Sequence, residues 1–203
     1  MIVMNKKELR ALLRAKRVSS EERAKESALL SKHVLNSPYF QDATTIGGYI
    51  PLAHEADVTA ILQAALQQGK RLALPLCHQA PIMSLREVTS LDQLRPGAYG
   101  ILEPAQDAPI VPPEQIDLLL VPLEGIDRHG FRLGKGGGYY DQYLNQANIM
   151  TFGCALSTQW TDNIPHDSWD VQLHACADHE GIHWFTNYIR NEENYHGQEE
   201  AKD

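Results

Sequence analysis

The chain has 203 residues, 43% of them hydrophobic and 22% charged, with a formal net charge of −8 at pH 7. That length suits one domain with at most a small appendage, the apolar content suffices for a core, and an acidic balance speaks against broad nucleic-acid binding. There is no apolar run of about 18 residues, and Met1-Ile2-Val3-Met4-Asn5-Lys6-Lys7 has no apolar signal region, so neither a membrane span nor secretion is expected.

Residues 6–35 read as helix, with Leu9, Leu12 and Leu13 as an apolar stripe and a break with a fresh N-cap at Ser19-Ser20-Glu21-Glu22. Residues 44–50 are strand-like. Residues 57–68 form an amphipathic helix stopped by Gly69, with Val58, Ile61, Leu62, Ala65 and Leu66 on one side. Strands are expected over 71–75 and 82–88, then a Pro-rich surface connection over 103–113. The run 116–122 is almost wholly apolar, as in a strand buried on both faces. A glycine loop and a helix follow, then strands over 150–156 and 171–177. This alternation predicts an α/β fold, a three-layer sandwich whose mostly parallel or mixed central sheet is flanked by helices. One domain over 1–186 is expected, with a polar, flexible tail over 187–203. Cys77, Cys154 and Cys176 are odd in number and lack C-x-x-C spacing, which reads as reduced thiols of a cytoplasmic protein.

The chemistry concentrates in Arg132-Leu133-Gly134-Lys135-Gly136-Gly137-Gly138-Tyr139-Tyr140-Asp141. Glycines let the backbone approach an anion closely, and successive N–H groups converge on it. Lys135 adds a full charge, a following helix start adds a partial one, and Asp141 is placed to hold a metal against a bound phosphate. No Ser or Thr follows Lys135, so this is not a P-loop, and the last spaced glycine of the dinucleotide fingerprint is missing. The bland alternative is a capped surface turn, but a plain turn needs one or two glycines rather than four around a lysine.

Lys6, Arg10, Arg14 and Arg17, spaced by four, four and three, fall on one helix face, either a cationic wall over phosphates or a solvated face. Glu55, between a strand and a helix, could accept two hydrogen bonds from an amino-pyrimidine edge or merely favour the helix start. His179-Glu180-Gly181-Ile182-His183 matches H-E-x-x-H, but zinc-hydrolase chemistry requires a helix, and Gly181 argues instead for strand–turn–strand with exposed histidines. Ser157 and Ser168 lack the G-x-S-x-G elbow of a serine hydrolase.

The ten-residue glycine segment resembles the signature of 5-formyltetrahydrofolate cyclo-ligases, also called 5,10-methenyltetrahydrofolate synthetases. The basic opening from Lys6, Tyr49-Ile50-Pro51-Leu52 with Glu55, Ile101-Leu102-Glu103-Pro104, Gly125-Ile126-Asp127 and the stretch from Ile164-Pro165 to Asp170 are similar to further family blocks, in the same order. The resemblance implies ATP- and Mg²⁺-dependent cyclisation of 5-formyltetrahydrofolate to 5,10-methenyltetrahydrofolate by a monomer without nucleic-acid or membrane partners. It implies Lys6, Arg10, Arg132, Gly134, Lys135, Gly136, Gly137, Gly138, Tyr139 and Tyr140 at ATP. Leu52, Glu55, Gly136, Gly138, Tyr139 and Tyr140 fall to the folate, Asp141 to Mg²⁺, and Lys135 and Arg132 to the reaction itself. Glu124-Gly125-Ile126 replaces a loop that usually carries an aromatic residue, and His174 stands where some members have an acidic metal partner. These departures leave open a binding module without turnover.

Overall fold

The computed structural model describes residues 4–97 and 100–185. The tail expected over 187–203 lies outside them. The expected break in the first helical region is present: α1 (Lys6–Ala15) and α2 (Ser20–Leu35) are separate helices. Asn5 accepts from the N–H groups of Lys7 and Glu8 while Glu8 returns a bond to the Asn5 N–H, and Ser19 caps α2 through the Glu22 N–H. Arg17 therefore falls in the link between the helices, beyond α1. The short α3 (Pro38–Asp42) follows.

The main sheet begins with β1 (Thr45–Gly47), α4 (Thr59–Gln67), β2 (Arg71–Cys77) and β3 (Met83–Val88). β2 runs on through Pro75, past the point where β1 ends; the last β1–β2 partners are Gly47 and Ala73. Short strands β4 (Arg95–Pro96) and β5 (Leu102–Glu103) lead into the Pro-rich connection, which itself contains β6 (Ile110–Val111). Two-residue strands carry no period that a sequence could display. β7 (Leu118–Val121), β8 (Gly125–Asp127), β9 (Arg132–Leu133), α5 (Tyr139–Leu144), β10 (Met150–Cys154), β11 (Trp160–Thr161), β12 (Ala175–Ala177) and β13 (Ile182–Trp184) complete the order.

The main sheet runs β13-β12-β10-β7-β1-β2-β3-β6, parallel from β12 to β2 and antiparallel at both margins. Alternation along β7 sorts its side chains between two cores. Leu118 and Leu120 pack beneath α2, α3 and α4 with Leu30, Phe40, Ile61 and Leu62. Leu119 and Val121 face Ile126, Tyr143 and Leu144 of the opposite layer, which α5 and the small sheet β11-β8-β9 form. α1 seals the outside of that layer by burying Leu9 and Leu13 against Leu133 and Ile164. The three-layer α/β expectation holds, with one layer part helix and part sheet.

The segment 171–174, expected as strand, is not one. The Leu173 N–H is drawn to the Gly130 carbonyl at 2.9 Å, and the Gln172 side chain to the His129 carbonyl, so this stretch packs on the β8–β9 turn before joining the sheet.

Candidate active site

From β1 the chain passes through α4 to β2 on one side, and later returns to place β7 on β1's other side. The strand order thus reverses between β1 and β7, and an open parallel sheet forms its ligand crevice outside the carboxyl ends at such a point. A cavity of about 980 Å³ opens there, lined by Tyr49 and Ile50 after β1, Pro122 and Leu123 after β7, and Cys77 at the end of β2. Its wall includes Lys6, Arg10, Leu52, Glu55, Arg132, Gly134, Lys135, Gly136, Gly137, Gly138, Tyr139, Tyr140 and Asp141. Every residue that the resemblance assigns to a ligand, metal or the reaction lines this one space.

The glycine loop earns its composition at two positions: Gly136 has φ +102° and Gly138 has φ +71°, where a side chain would be strained. α5 has only six residues, so its dipole contributes little and the electropositive character comes from side chains. Arg10 reaches over from α1, donating its Nε to the Gly134 carbonyl at 2.7 Å, and its guanidinium lies against Gly136. Arg132, with its side chain only 4% exposed, places Nη2 3.2 Å from Asp141 Oδ1 and sits over the Tyr140 ring, 5.4 Å from its centroid. Among the described residues its Nε is buried without a hydrogen-bond partner, and so is the Tyr140 hydroxyl. Burial, then the nearby Glu55 charge, pushes that phenol well above the tyrosine range against the opposing pull of Arg132. It remains a neutral donor. Orphaned N–H and O–H groups in a cavity wall suit an anionic, acceptor-rich occupant.

The remaining charges are paired across the cavity. Lys135 Nζ lies 2.7 Å from Glu55 Oε1, and the Leu52 N–H donates to Glu55 Oε2 at 2.9 Å. Arg23 of α2 fixes that turn by donating to the carbonyls of Glu55, at 2.6 Å, and Leu52, at 3.2 Å. Lys6 Nζ lies 2.5 Å from Asp170 Oδ2 and 3.4 Å from Asp167. Burial would raise the Asp170 pKa, but the Lys6 bond, the Asp167 N–H and the Arg132 charge together hold it below the usual range.

The basic face of α1 divides. Lys6 and Arg10 reach the cavity, whereas Arg14 and Arg17 turn to Glu124, at 3.0 and 3.4 Å, so the expected four-residue cationic wall has two members. Glu124 lines the cavity with its carboxylate tied to those arginines. His174 is not brought to the site. It precedes β12, at the opposite end of the parallel strands, and its Nδ1 lies 2.8 Å from Thr151 Oγ1. The H-E-x-x-H segment is a turn and strand, as required for a non-zinc reading, with both histidines half-buried rather than exposed. Asp178, Glu180 and His183 converge there, but donors already fill Asp178: the Glu180 and Gly181 N–H groups and His183 on one oxygen, and Trp160 Nε1 on the other.

Sequence reasoning missed the site roles of Arg23, Glu103, Trp169 and Asp170. Glu103 and Asp170 sat inside family-like blocks, but nothing local marked either carboxylate as facing a cavity built by distant elements. Trp169 is 65% exposed and lines the cavity rim.

Such a fold, with a cationic glycine loop at the switch point and apolar residues across the same cavity, is that of an α/β enzyme. The comparisons specify it further. The profile described as "5-formyltetrahydrofolate cyclo-ligase family" matches residues 3–177, and the chain belongs to that family of ligases. It is 30% identical to a 5-formyltetrahydrofolate cyclo-ligase of Haemophilus influenzae, over 71% of this chain and 80% of that protein. The counterpart from Escherichia coli K12 is 27% identical over 81% of this chain and 93% of that one. Among solved structures, the 5,10-methenyltetrahydrofolate synthetase of Aquifex aeolicus superposes with TM-score 0.80 at 32% identity, covering 90% of this chain and 94% of that one. The Mycoplasma pneumoniae synthetase gives 0.70 at 26%, covering 87% and 99%. Among the described residues no helix is long and apolar enough to cross a membrane.

Proposed function

We propose that the enzyme uses ATP with Mg²⁺ to cyclise 5-formyltetrahydrofolate to 5,10-methenyltetrahydrofolate, releasing ADP and phosphate. The observation that carries this reading is the sharing of one cavity by the cationic glycine loop and by an apolar, acid-bearing wall. A formamide oxygen leaves poorly. Its attack on the γ-phosphorus breaks the bond to ADP and makes an imidate-like phosphate. N10 then attacks the activated carbon, the C–O bond breaks, phosphate departs with the former formyl oxygen, and the N10 proton is lost. No protein nucleophile is needed; alignment and charge neutralisation suffice.

In this reading Lys6, Arg10, Arg132 and Lys135 and the N–H groups from Gly134 to Tyr139 hold the triphosphate. Arg132 and Lys135 stabilise charge on the transferring group. Tyr140 and Leu52 shape the folate side. Asp141 suits Mg²⁺: its side chain is 25% exposed, and only one of its oxygens is in an ion pair among the described residues. Bound there, the metal would neutralise phosphate charge. Of the two departures, His174 lies at the far end of the sheet, and Glu124 lines the cavity with its carboxylate held by Arg14 and Arg17.

The test is an ATP-dependent rise in methenyltetrahydrofolate absorbance, with ATP omitted as control, and its loss in Lys135→Ala and Asp141→Ala variants that remain folded. Wild-type turnover in both variants would refute the assignment.

A further inference from the structure

The turn after β1 faces two cavities. Leu52 and Glu55 line the large one, whereas Ala53 and His54 line a second of about 110 Å³. Glu124 stands between them and lines both. The remaining polar wall of the small cavity is Arg17 in the link after α1, Arg23 of α2, Thr158 and Gln159. Arg17, Arg23 and His54 do not line the large cavity, so this space lies outside the site described above.

Donors outnumber acceptors there. Among the described residues Arg17 makes one bond, from Nη2 to Glu124 Oε2 at 3.4 Å, and leaves Nε and Nη1 unused. Arg23 uses Nε and Nη2 on the Glu55 and Leu52 carbonyls and makes no bond through Nη1. The His54 Nε2 is buried without a hydrogen-bond partner; it stands 3.6 Å from Glu124 Oε1, too far for a hydrogen bond. Glu124 is already held by Arg14 at 3.0 Å. The guanidiniums of Arg14, Arg17 and Arg23 therefore face only Glu124 and Asp57, the latter 3.6 Å from Arg23 and itself 40% exposed. At the His54 ring the positive field prevails: burial, then the Arg17 charge, lowers its pKa against the weaker opposing pull of Glu124. The neutral imidazole retains one N–H to donate.

Buried donors without acceptors are costly, and an oxyanion satisfies several of them at once. The volume sets its size. The cavity has room for about four waters at about 30 Å³ each, so it admits a small tetrahedral ion and excludes a nucleotide or a pterin.

We propose that Arg17, Arg23 and His54 form a second anion site, separate from the glycine loop, which takes a free inorganic oxyanion of the phosphate class in competition with Glu124 for Arg17.

Equilibrium dialysis of labelled inorganic phosphate against the enzyme tests this, with saturating unlabelled tripolyphosphate to fill the glycine loop; tripolyphosphate is too long for the small cavity. Phosphate binding should persist. Arg17→Met should weaken it about ten- to a hundredfold, as loss of a charge-assisted hydrogen bond does, and His54→Ala about three- to tenfold. Glu124→Gln, which frees Arg17, should tighten it. A merely structural role for the cluster would have all three variants weaken binding, so the opposite sign at Glu124 is diagnostic. Circular dichroism checks the fold of each variant; should one unfold, the signs of the other two decide. Phenyl phosphate, too large for the cavity, should not bind. Loss of all phosphate binding in tripolyphosphate, unchanged affinity in Arg17→Met and His54→Ala, weaker binding in Glu124→Gln, or equal binding of phenyl phosphate would overturn the proposal. Dialysis requires no turnover, so its outcome is independent of the absorbance assay for the cyclo-ligase reaction.

Discussion

Lys135 Nζ stands 2.7 Å from Glu55 Oε1, an ion pair that ties the glycine loop to the turn behind β1 across the point where the strand order reverses. Glu55 is 3% exposed and Lys135 40%, so the lysine neutralises a charge that water cannot reach. The pair holds the glycine loop against the turn behind β1.

Removing that lysine should damage both function and fold. Lys135→Met leaves the Glu55 carboxylate uncompensated, which costs about 3–5 kcal/mol for a fully buried pair and about 1–2 kcal/mol here, where the lysine is partly solvated. Turnover should fall at least about a hundredfold, as when one donor to a developing charge is lost. Adding Glu55→Gln to Lys135→Met should recover most of the melting temperature and none of the turnover. Thermal melts and product absorbance on the two single variants and the double variant check this. A double variant no more stable than Lys135→Met would show the pair is not the stabilising contact.

Asp170 should act on the nucleotide through Lys6. It holds the ammonium at 2.5 Å and is itself fixed by the Asp167 N–H at 2.7 Å. Asp170→Asn releases Lys6 and should raise the ATP KM about tenfold while leaving the folate KM unchanged, the scale of one charged contact. Combined with Lys6→Ala it should add little, because the two changes remove one interaction. Additive losses would mean that Asp170 acts independently of Lys6.

What the sequence disclosed, and what it withheld, divides along the range of the interactions. The apolar run now seen as β7 and the glycine loop were legible because strand burial and left-handed backbone leave local marks. So was the break before α2, where Ser19 caps through its own hydroxyl. The division of the α1 cations was not, because the destination of Arg14 and Arg17 depends on Glu124, more than a hundred residues away. The same holds for the partner of Glu55, since Lys135 reaches it from the glycine loop, far along the chain. Residues 171–174 looked strand-like by composition, and their hydrogen bonds to the β8–β9 turn, a tertiary matter, decided otherwise.

Acid should loosen α1 before the rest of the fold. Burial alone would raise the pKa of Glu124, but its bonds to Arg14 and the charges of His54 and Arg17 bring it below the ordinary glutamate value. A carboxyl with a depressed folded-state pKa contributes stability that is complete above its unfolded value, near pH 4.5, and is lost as pH falls through the folded value. Glu124→Gln should therefore cost about 1–2 kcal/mol at pH 7, less than a fully buried pair because both arginines are half-exposed. Its penalty should shrink as pH falls below 4.5 and through the lower folded value. Melting temperatures of both proteins between pH 3 and 7 measure this. Parallel curves would exclude Glu124 as the source of the acid dependence.

Cys77 offers a readout of the β2 end of the cavity. The thiol lines the cavity and is half-buried, while Cys154 and Cys176 are buried in the two cores. Burial and the adjacent Glu103 raise its pKa to about 11, so roughly one molecule in ten thousand carries the reactive thiolate at pH 7. Alkylation of the native enzyme should be slow at neutral pH, rise about tenfold per pH unit, and level off near pH 11, if the fold persists that far. Glu103→Gln removes the nearby negative charge and should shift this profile to lower pH and speed the reaction at pH 8. 5-Formyltetrahydrofolate should protect the thiol, and tripolyphosphate, confined to the glycine loop, should not. Rates followed by mass spectrometry with each ligand separate the two ends of the cavity. Equal protection by both would mean that the phosphate site extends to β2, and no protection by the folate would place the ring elsewhere.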